Sequence, residues 1–111
     1  MVLEFYEEYI FSIRNHTKLH IIRKDLENVW QPGVMIDFAY DGQLFAPSKP
    51  VISVQEINIC DGDICIDGRE LALFEIGRLV KNDGFGSIPD FYLFFGNDYH
   101  GKIIHWTNIT Y

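Results

Sequence analysis

Cysteine, basic residues and long apolar runs are scarce in this chain of 111 residues, and each shortage excludes a class of protein. Two cysteines, Cys60 and Cys65, are too few for a disulfide scaffold, and without a second pair of ligands nearby they form no zinc signature. Nine Lys and Arg residues against 16 Asp and Glu residues give a net charge of −7, which opposes general nucleic-acid binding. No apolar run approaches the roughly 18 residues of a membrane-spanning helix.

The chain does have enough apolar sequence for a core of its own. Apolar residues make up 48% of it and aromatic residues 15%, and there is no repeat, low-complexity segment or long linker. A chain of this length fits one domain, so we predict a single domain over residues 1–111. Acidic residues stand near the N-terminus, where a signal peptide would be basic, and we therefore expect a cytoplasmic protein.

The first third of the chain shows helical spacing. In residues 2–14, Leu3, Tyr6, Ile10 and Ile13 recur at the period of an amphipathic helix. The segment Lys18–Trp30 is ambiguous, because its apolar residues fit either a helix stripe or a short strand over residues 19–22 followed by a turn.

From Val34 onward the apolar period changes to two, and two Asp-Gly pairs favour tight hairpin turns. The pair Asp41-Gly42 predicts one hairpin. The pair Asp61-Gly62 predicts a second hairpin, in which Ile59 lies opposite Ile64 and Ile57 opposite Ile66. Ile52 and Val54 have the opposite parity, so the strand has a bulge near Gln55 or is covered on both faces.

The last third predicts a helix and a third hairpin. Asp67 and Glu70 resemble an N-cap and its capping-box partner for a helix that ends at residues 82–84. The runs 91–95 and 102–107 are strand-like. Together the patterns predict an α+β domain, with a mainly antiparallel sheet built from three hairpins and two to three helices packed against it.

Histidines are the first candidates for chemistry. His16 and His20 have the spacing of two metal ligands on a helix, but no glutamate base and no third ligand accompany them. If His105 met either of them, two imidazoles could act as the acid–base pair of a small hydrolase or ribonuclease. Asp61 and the acids after it fail the calcium-loop pattern at its defining positions. We predict no metal and no cofactor.

Charge is the feature that points to a partner. Residues 14–24 hold four of the nine basic residues and no acid, and their simplest role is to face acids within the molecule. The segment 25–67 is strongly acidic, with its acids concentrated at the two Asp-Gly turns. The acids proposed to contact a partner are Asp37, Asp41, Glu56, Asp61 and Asp63.

These observations favour a binding protein over an enzyme. The hypothesis is a small cytoplasmic inhibitor of the immunity or antitoxin type that blocks a basic toxin, such as a nuclease, through its acidic surface. One alternative is the histidine-dependent hydrolase that would use His16, His20 and His105. Another is a homo-oligomer, such as a dimer formed by pairing of a sheet edge at the aromatic run 91–95.

Overall fold

Nine strands and three helices make up the chain in a computed structural model, which describes residues 1–111. The strands are β1 (Val2–Glu4), β2 (His20–Arg23), β3 (Met35–Tyr40), β4 (Gln43–Leu44), β5 (Lys49–Pro50), β6 (Ser53–Cys60), β7 (Asp63–Ile66), β8 (Arg69–Glu70) and β9 (Tyr99–His105). A 3₁₀ turn (Glu7–Tyr9) leads into α1 (Ile10–Arg14), and α2 (Leu73–Asn82) and α3 (Ile88–Phe95) follow later. None of the helices is long and apolar enough to cross a membrane.

The central sheet has five antiparallel strands in the order β2-β9-β6-β7-β8. Ile57 pairs with Ile66 and Ile59 with Ile64, which confirms the register predicted from the Asp-Gly turn. Strand β6 runs against β9 without interruption from residue 53 to residue 59, so there is no bulge. The parity change arises because β6 is covered on both faces, and Val54 packs on the face away from Ile57.

A second, smaller sheet covers one face of the central sheet. It consists of β1, β3 and β4, with β5 paired to β3. Strand β1 runs parallel to β3, with Leu3 opposite Phe38. The helix predicted over residues 2–14 is therefore wrong in its first half, because Leu3 and Phe5 are buried on alternate positions of an extended segment. Only Ile10–Arg14 forms an α-helix there.

The hydrophobic side chains form two cores, one on each face of the central sheet. The first lies between the central sheet and helices α2 and α3, and includes Ile57, Ile103, Leu79 and Phe91. The second lies between the central sheet and the smaller sheet; its buried members are Leu3, Phe5, Ile13, Trp30, Ile36, Phe38, Val51, Ile104 and Trp106. The chain is thus one α+β domain with mostly antiparallel sheets, as the sequence predicts, and the smaller sheet forms a third layer that the sequence did not predict.

Three Asp-Gly turns connect neighbouring strands. In each turn both residues have positive φ, for example 53° at Asp61 and 84° at Gly62, which is the conformation of a type I′ hairpin. The third turn, Asp67-Gly68, joins β7 to β8, so the predicted N-cap at Asp67 is wrong. Helix α2 begins later, where the Glu75 carboxylate accepts a hydrogen bond from the backbone N–H of Ala72 at 3.1 Å.

Two further segments correct the sequence interpretation. The segment predicted as a strand over Phe91–Phe95 lies in α3, where the Ser87 hydroxyl accepts a hydrogen bond from the backbone N–H of Asp90 and a proline stands in the first turn. This segment therefore offers no sheet edge for a homodimer. Within Lys18–Trp30 the strand alternative is correct, because Ile22 and Ile21 face opposite cores.

The helical state of the aromatic segment can be tested by alanine substitution. Phe91 is fully buried and Leu93 is 86% exposed, although the two would share one face of a strand. We expect Phe91→Ala to lower the free energy of unfolding by about 3–5 kcal/mol. Leu93→Ala should change it by less than about 0.5 kcal/mol. Urea denaturation measures both, and similar losses for the two variants would contradict the helix.

Candidate functional site

A pocket of about 280 Å³ opens between the N-terminal segment, β2, the end of α2 and α3. We call it the aromatic pocket, because its walls are formed largely by the rings of Phe5, Tyr6, Tyr9, Phe85, Phe94 and Phe95. Its polar lining residues are Lys18, Asp83 and Glu4. No sequence pattern predicts this site, because its residues come from four separated segments.

Lys18 and Asp83 form a buried ion pair at the floor of the aromatic pocket. The Lys18 side chain is directed inward, and the residue is only 1% exposed. Its Nζ donates to the Asp83 backbone carbonyl and, at 3.2 Å, to Asp83 Oδ1. It also lies 4.4 Å from the centroid of the Tyr9 ring. Burial lowers the pKa of Lys18, while the Asp83 carboxylate acts in the opposite direction.

The Asp83 carboxylate joins the pocket to the core. Its Oδ1 lies 3.0 Å from His20 Nδ1, in addition to the bond from Lys18. Both bonds fall on Oδ1, so Oδ2 receives no hydrogen bond from the chain. A carboxylate can accept on both oxygens, and Asp83 is a lining residue of the pocket. Oδ2 is therefore an acceptor that a molecule in the pocket can use.

Two exposed aromatic side chains form the mouth of the pocket. Tyr6 is 61% exposed and Phe94 is 54% exposed, and their ring centroids lie 6.3 Å apart. Behind them, burial raises the pKa of Tyr9 to about 12, with smaller contributions from the charges of Asp83 and Glu8. The Tyr9 phenol therefore keeps its proton at neutral pH.

His20 and His105 meet beneath the end of α2. They lie directly opposite each other on β2 and β9, with ring centroids 5.1 Å apart, and both are 0% exposed. His20 Nε2 lies 2.6 Å from the Tyr111 hydroxyl, and His105 Nε2 lies 3.0 Å from Gln55 Oε1. His105 Nδ1 is buried without a partner.

The surroundings favour the neutral form of both rings. A neutral His20 donates from Nδ1 to Asp83 and accepts at Nε2 from the Tyr111 hydroxyl, which uses both nitrogens. Burial lowers the pKa of His20, and it lowers the pKa of His105 to about 3, with a smaller contribution from the neighbouring His20. The pair is enclosed and uncharged, and it therefore stabilises the core rather than facing a substrate.

His16 lies apart from this pair. It is exposed and occupies a turn with φ of 64°, so the helical arrangement in which His16 and His20 would share one face does not form. The segment is not helical because residues 20–23 are extended along β9. The meeting of His20 with His105 depends on that long-range pairing, for which no local sequence signal exists.

The five predicted contact acids do not form one surface. Asp37 pairs with the Met1 amine, and its pKa is lowered by a hydrogen bond from Ser48 and by that amine. Glu56 lies in a second depression, beside Lys24 and Lys102. Asp61 and Asp63 are exposed at the β6–β7 turn of the central sheet, whereas Asp41 is exposed at the β3–β4 turn of the smaller sheet.

Of the five acids, Asp41 belongs to the surroundings of the aromatic pocket. The backbone N–H of Gly42, the next residue, donates to the pocket residue Glu4 at 3.2 Å. The Tyr40 hydroxyl donates to Glu7, which is a second hydrogen bond between the β3–β4 hairpin and the N-terminal segment. The β3–β4 turn and the N-terminal segment therefore carry a group of carboxylates next to the pocket: Glu4, Glu7 and Asp41.

Comparison with protein-family models, curated proteins and solved structures returned no match to this chain. No group of three or more His, Cys, Asp or Glu side chains is placed to share a metal ion. Cys60 and Cys65 are free thiols, and Cys60 pairs with Asp63 across the hairpin, as its turn predicts. The fold and the site define an α+β domain with an aromatic pocket above a buried polar network.

The neutral histidines make stability depend on pH. Their folded-state pKa values lie below the unfolded value of about 6.5, so the unfolded chain binds more protons and acid favours unfolding. We expect the free energy of unfolding to fall from pH about 6.5 downward, by up to about 1.4 kcal/mol per pH unit for each histidine. His105→Gln should reduce this slope and His16→Gln should not. Urea denaturation over this range tests it, and a flat profile would contradict it.

The buried ion pair predicts a large effect of removing one partner. Lys18→Met leaves the Asp83 carboxylate buried with one hydrogen-bonding partner fewer. We expect a loss of about 3–5 kcal/mol in the free energy of unfolding. Lys81→Met, at an exposed position of α2, is the matched control and should be near neutral. Equal stabilities of the two variants would show that the pair contributes nothing.

Proposed function

We propose that this protein is a small binding protein that docks a basic protein partner at the aromatic pocket and the carboxylates beside it. In its specific form the proposal is an inhibitor of the immunity or antitoxin type, acting in the cytoplasm on a basic toxin such as a nuclease. The observation that carries it is the pair of exposed rings, Tyr6 and Phe94, at the mouth of a pocket whose floor and rim hold carboxylates.

This arrangement resembles a protein-binding surface in the distribution of its aromatic and charged residues. Binding energy in interfaces concentrates in a few aromatic residues near the centre, while charged groups around them set specificity and association rate. Tyr6 and Phe94 supply the aromatic centre. Glu4, Glu7 and Asp41 are exposed around the N-terminal segment and the β3–β4 turn. A basic partner complements them.

Three cations of the basic segment 14–24 make contacts within the molecule. Lys18 is buried against Asp83, and the Nζ of Lys24 donates to the His100 carbonyl while lying over the Tyr99 ring. Arg14 donates from Nε to the Phe45 carbonyl. Lys18 faces an acid, as expected from the sequence, whereas Arg14 and Lys24 contact backbone carbonyls. The net charge of −7 includes all of these cations and favours a basic partner.

The hydrolase alternative has less support from the geometry. His20 and His105 do meet, but neither ring has exposed surface and both favour the neutral form. A substrate would need an opening to reach them. Binding at the pocket requires no such rearrangement.

The test uses the protein encoded by the neighbouring gene, co-purified and then titrated by calorimetry. We expect one-to-one binding that weakens as salt rises, because exposed charges are screened. Asp41→Lys, beside the pocket, should weaken binding by at least about tenfold. Asp61→Lys makes the same charge change at the β6–β7 turn and should have a smaller effect.

The two charge-reversing variants distinguish the β3–β4 turn from the β6–β7 turn as the docking surface. A larger effect of Asp61→Lys would move the docking surface to the β6–β7 turn. Binding that is insensitive to salt and to both reversals would contradict recognition through acidic groups. If no complex with that protein forms, the hypothesis of an inhibitor that blocks a toxin encoded by the neighbouring gene is wrong.

A further inference from the structure

The floor of the aromatic pocket holds an acceptor with no donor. Asp83 is only 2% exposed, and its Oδ2 receives no hydrogen bond although the residue lines the pocket. Oδ2 is not one of the fully buried side-chain atoms that lack a partner, so it keeps some accessible surface and can accept from water or from a bound donor. The pocket therefore offers a free acceptor to a group that donates hydrogen bonds.

The pocket offers little to an anion. An ammonium group has three N–H donors, and Lys18 directs two of them to Asp83 while the Tyr9 ring lies within reach of the third. The ion pair of Lys18 with Asp83 is neutral as a unit, so the charge left over in the lining is that of Glu4. An anionic ligand would meet this charge without a free donor to bind it.

The walls suit a cation. Aromatic faces attract ammonium and guanidinium groups, more strongly when water is excluded. Six aromatic residues line the pocket, and only the Tyr9 ring already lies beside a cation, the Lys18 ammonium at 4.4 Å. A cation entering here gains contacts with rings and compensates the nearby carboxylates.

The size of the pocket limits the occupant. Pockets for drug-sized ligands and cofactors have volumes of about 300–1,000 Å³. The aromatic pocket, at about 280 Å³, falls just below this range. A single long side chain fits this volume better than a nucleotide-sized cofactor.

We infer that the aromatic pocket binds an organic cation, and that its occupant is an arginine side chain of the basic partner. Its guanidinium donates to Asp83 Oδ2, and its plane stacks on the aromatic wall. A guanidinium has five donors in a flat fork and stacks on rings more readily than an ammonium, which is why arginine is favoured over lysine. The inference rests on the proposed function only in taking the partner to be a basic protein.

The test compares Nα-acetyl-arginine amide with Nα-acetyl-citrulline amide, which has nearly the same shape but no charge. Each is titrated into the ¹⁵N-labelled protein and followed by NMR. We expect the arginine probe to cause saturable shifts at the backbone amides of Asp83 and Phe94, and none at the distant β6–β7 turn. The citrulline probe should bind at least about tenfold more weakly, because it lacks the attraction between a cation and the rings.

Two neighbouring residues of α3 give matched variants. Phe94→Ala removes a ring of the pocket mouth and should weaken the arginine probe about tenfold. Leu93→Ala removes a more exposed side chain outside the pocket lining and should leave its affinity unchanged. Asp83→Asn, with its fold checked by circular dichroism, removes the carboxylate but keeps the rings, so it should reduce the preference for arginine over citrulline without abolishing it.

Equal binding of the two probes would overturn the inference, and so would stronger binding of Nα-acetyl-aspartate amide at the same amides. Absence of saturable shifts with the arginine probe would also overturn it. Failure of this inference can be distinguished from failure of the proposed function. A basic partner that binds with the expected sensitivity to Asp41→Lys but does not displace the arginine probe would keep the binding function, restrict its docking surface to the carboxylates beside the pocket, and remove this inference. Arginine binding without any basic protein partner would do the reverse.

Discussion

The Asp83 carboxylate is the contact that holds the end of α2 to the edge of the central sheet. Lys18 comes from the loop before β2 and His20 from β2 itself, and both reach Oδ1 of this one residue. The backbone N–H of Leu19 donates to the Asn82 carbonyl at 2.8 Å in the same place. Strand β2 is an edge strand and pairs with β9 only. These bonds therefore hold β2 on the side where it has no neighbouring strand.

The burial of so many polar groups is tolerable because most of them satisfy one another, with His105 Nδ1 as the exception. An isolated buried charge would cost several kcal/mol, whereas a pair with further hydrogen bonds approaches neutrality in free energy. The network extends from Asp83 through His20 to the Tyr111 hydroxyl, which also accepts from Asn82. Gln55 then links the backbone of Tyr111 to His105. The C-terminal residue Tyr111 is thereby held against the end of α2 and the central sheet.

Local chemistry explains which parts of the fold were predictable. The Asp-Gly turns require positive φ at two successive residues, a demand that few dipeptides meet, and the register of Ile57–Cys60 against Asp63–Ile66 follows from it. The period of the apolar residues likewise predicted β3 and β6. These signals lie within a few residues of the structure they determine.

The errors fall where apolar residues fit two periods. The run Phe91–Phe95 is apolar throughout and satisfies both a strand and a helix, and the cap at Ser87 decides between them. Residues 2–4 become a strand because β3 lies alongside, with each residue paired to one 35 positions further along the chain. The aromatic pocket and the histidine pair depend on the same kind of contact between distant residues. The composition therefore showed that the chain is acidic, but not which carboxylates lie beside a pocket.

The two oxygens of Asp83 connect stability with the proposed binding. Oδ1 is occupied by Lys18 and His20, which immobilises the carboxylate and leaves Oδ2 without a hydrogen bond from the chain. In the proposed complex such a rigid acceptor would lose little entropy when a ligand arrives, so it would favour binding more than a mobile surface carboxylate. The exposed rings of Tyr6 and Phe94 would add apolar area that the proposed partner buries. The buried network therefore does more than stabilise the edge of the sheet: it orients the one acceptor at the floor of the pocket.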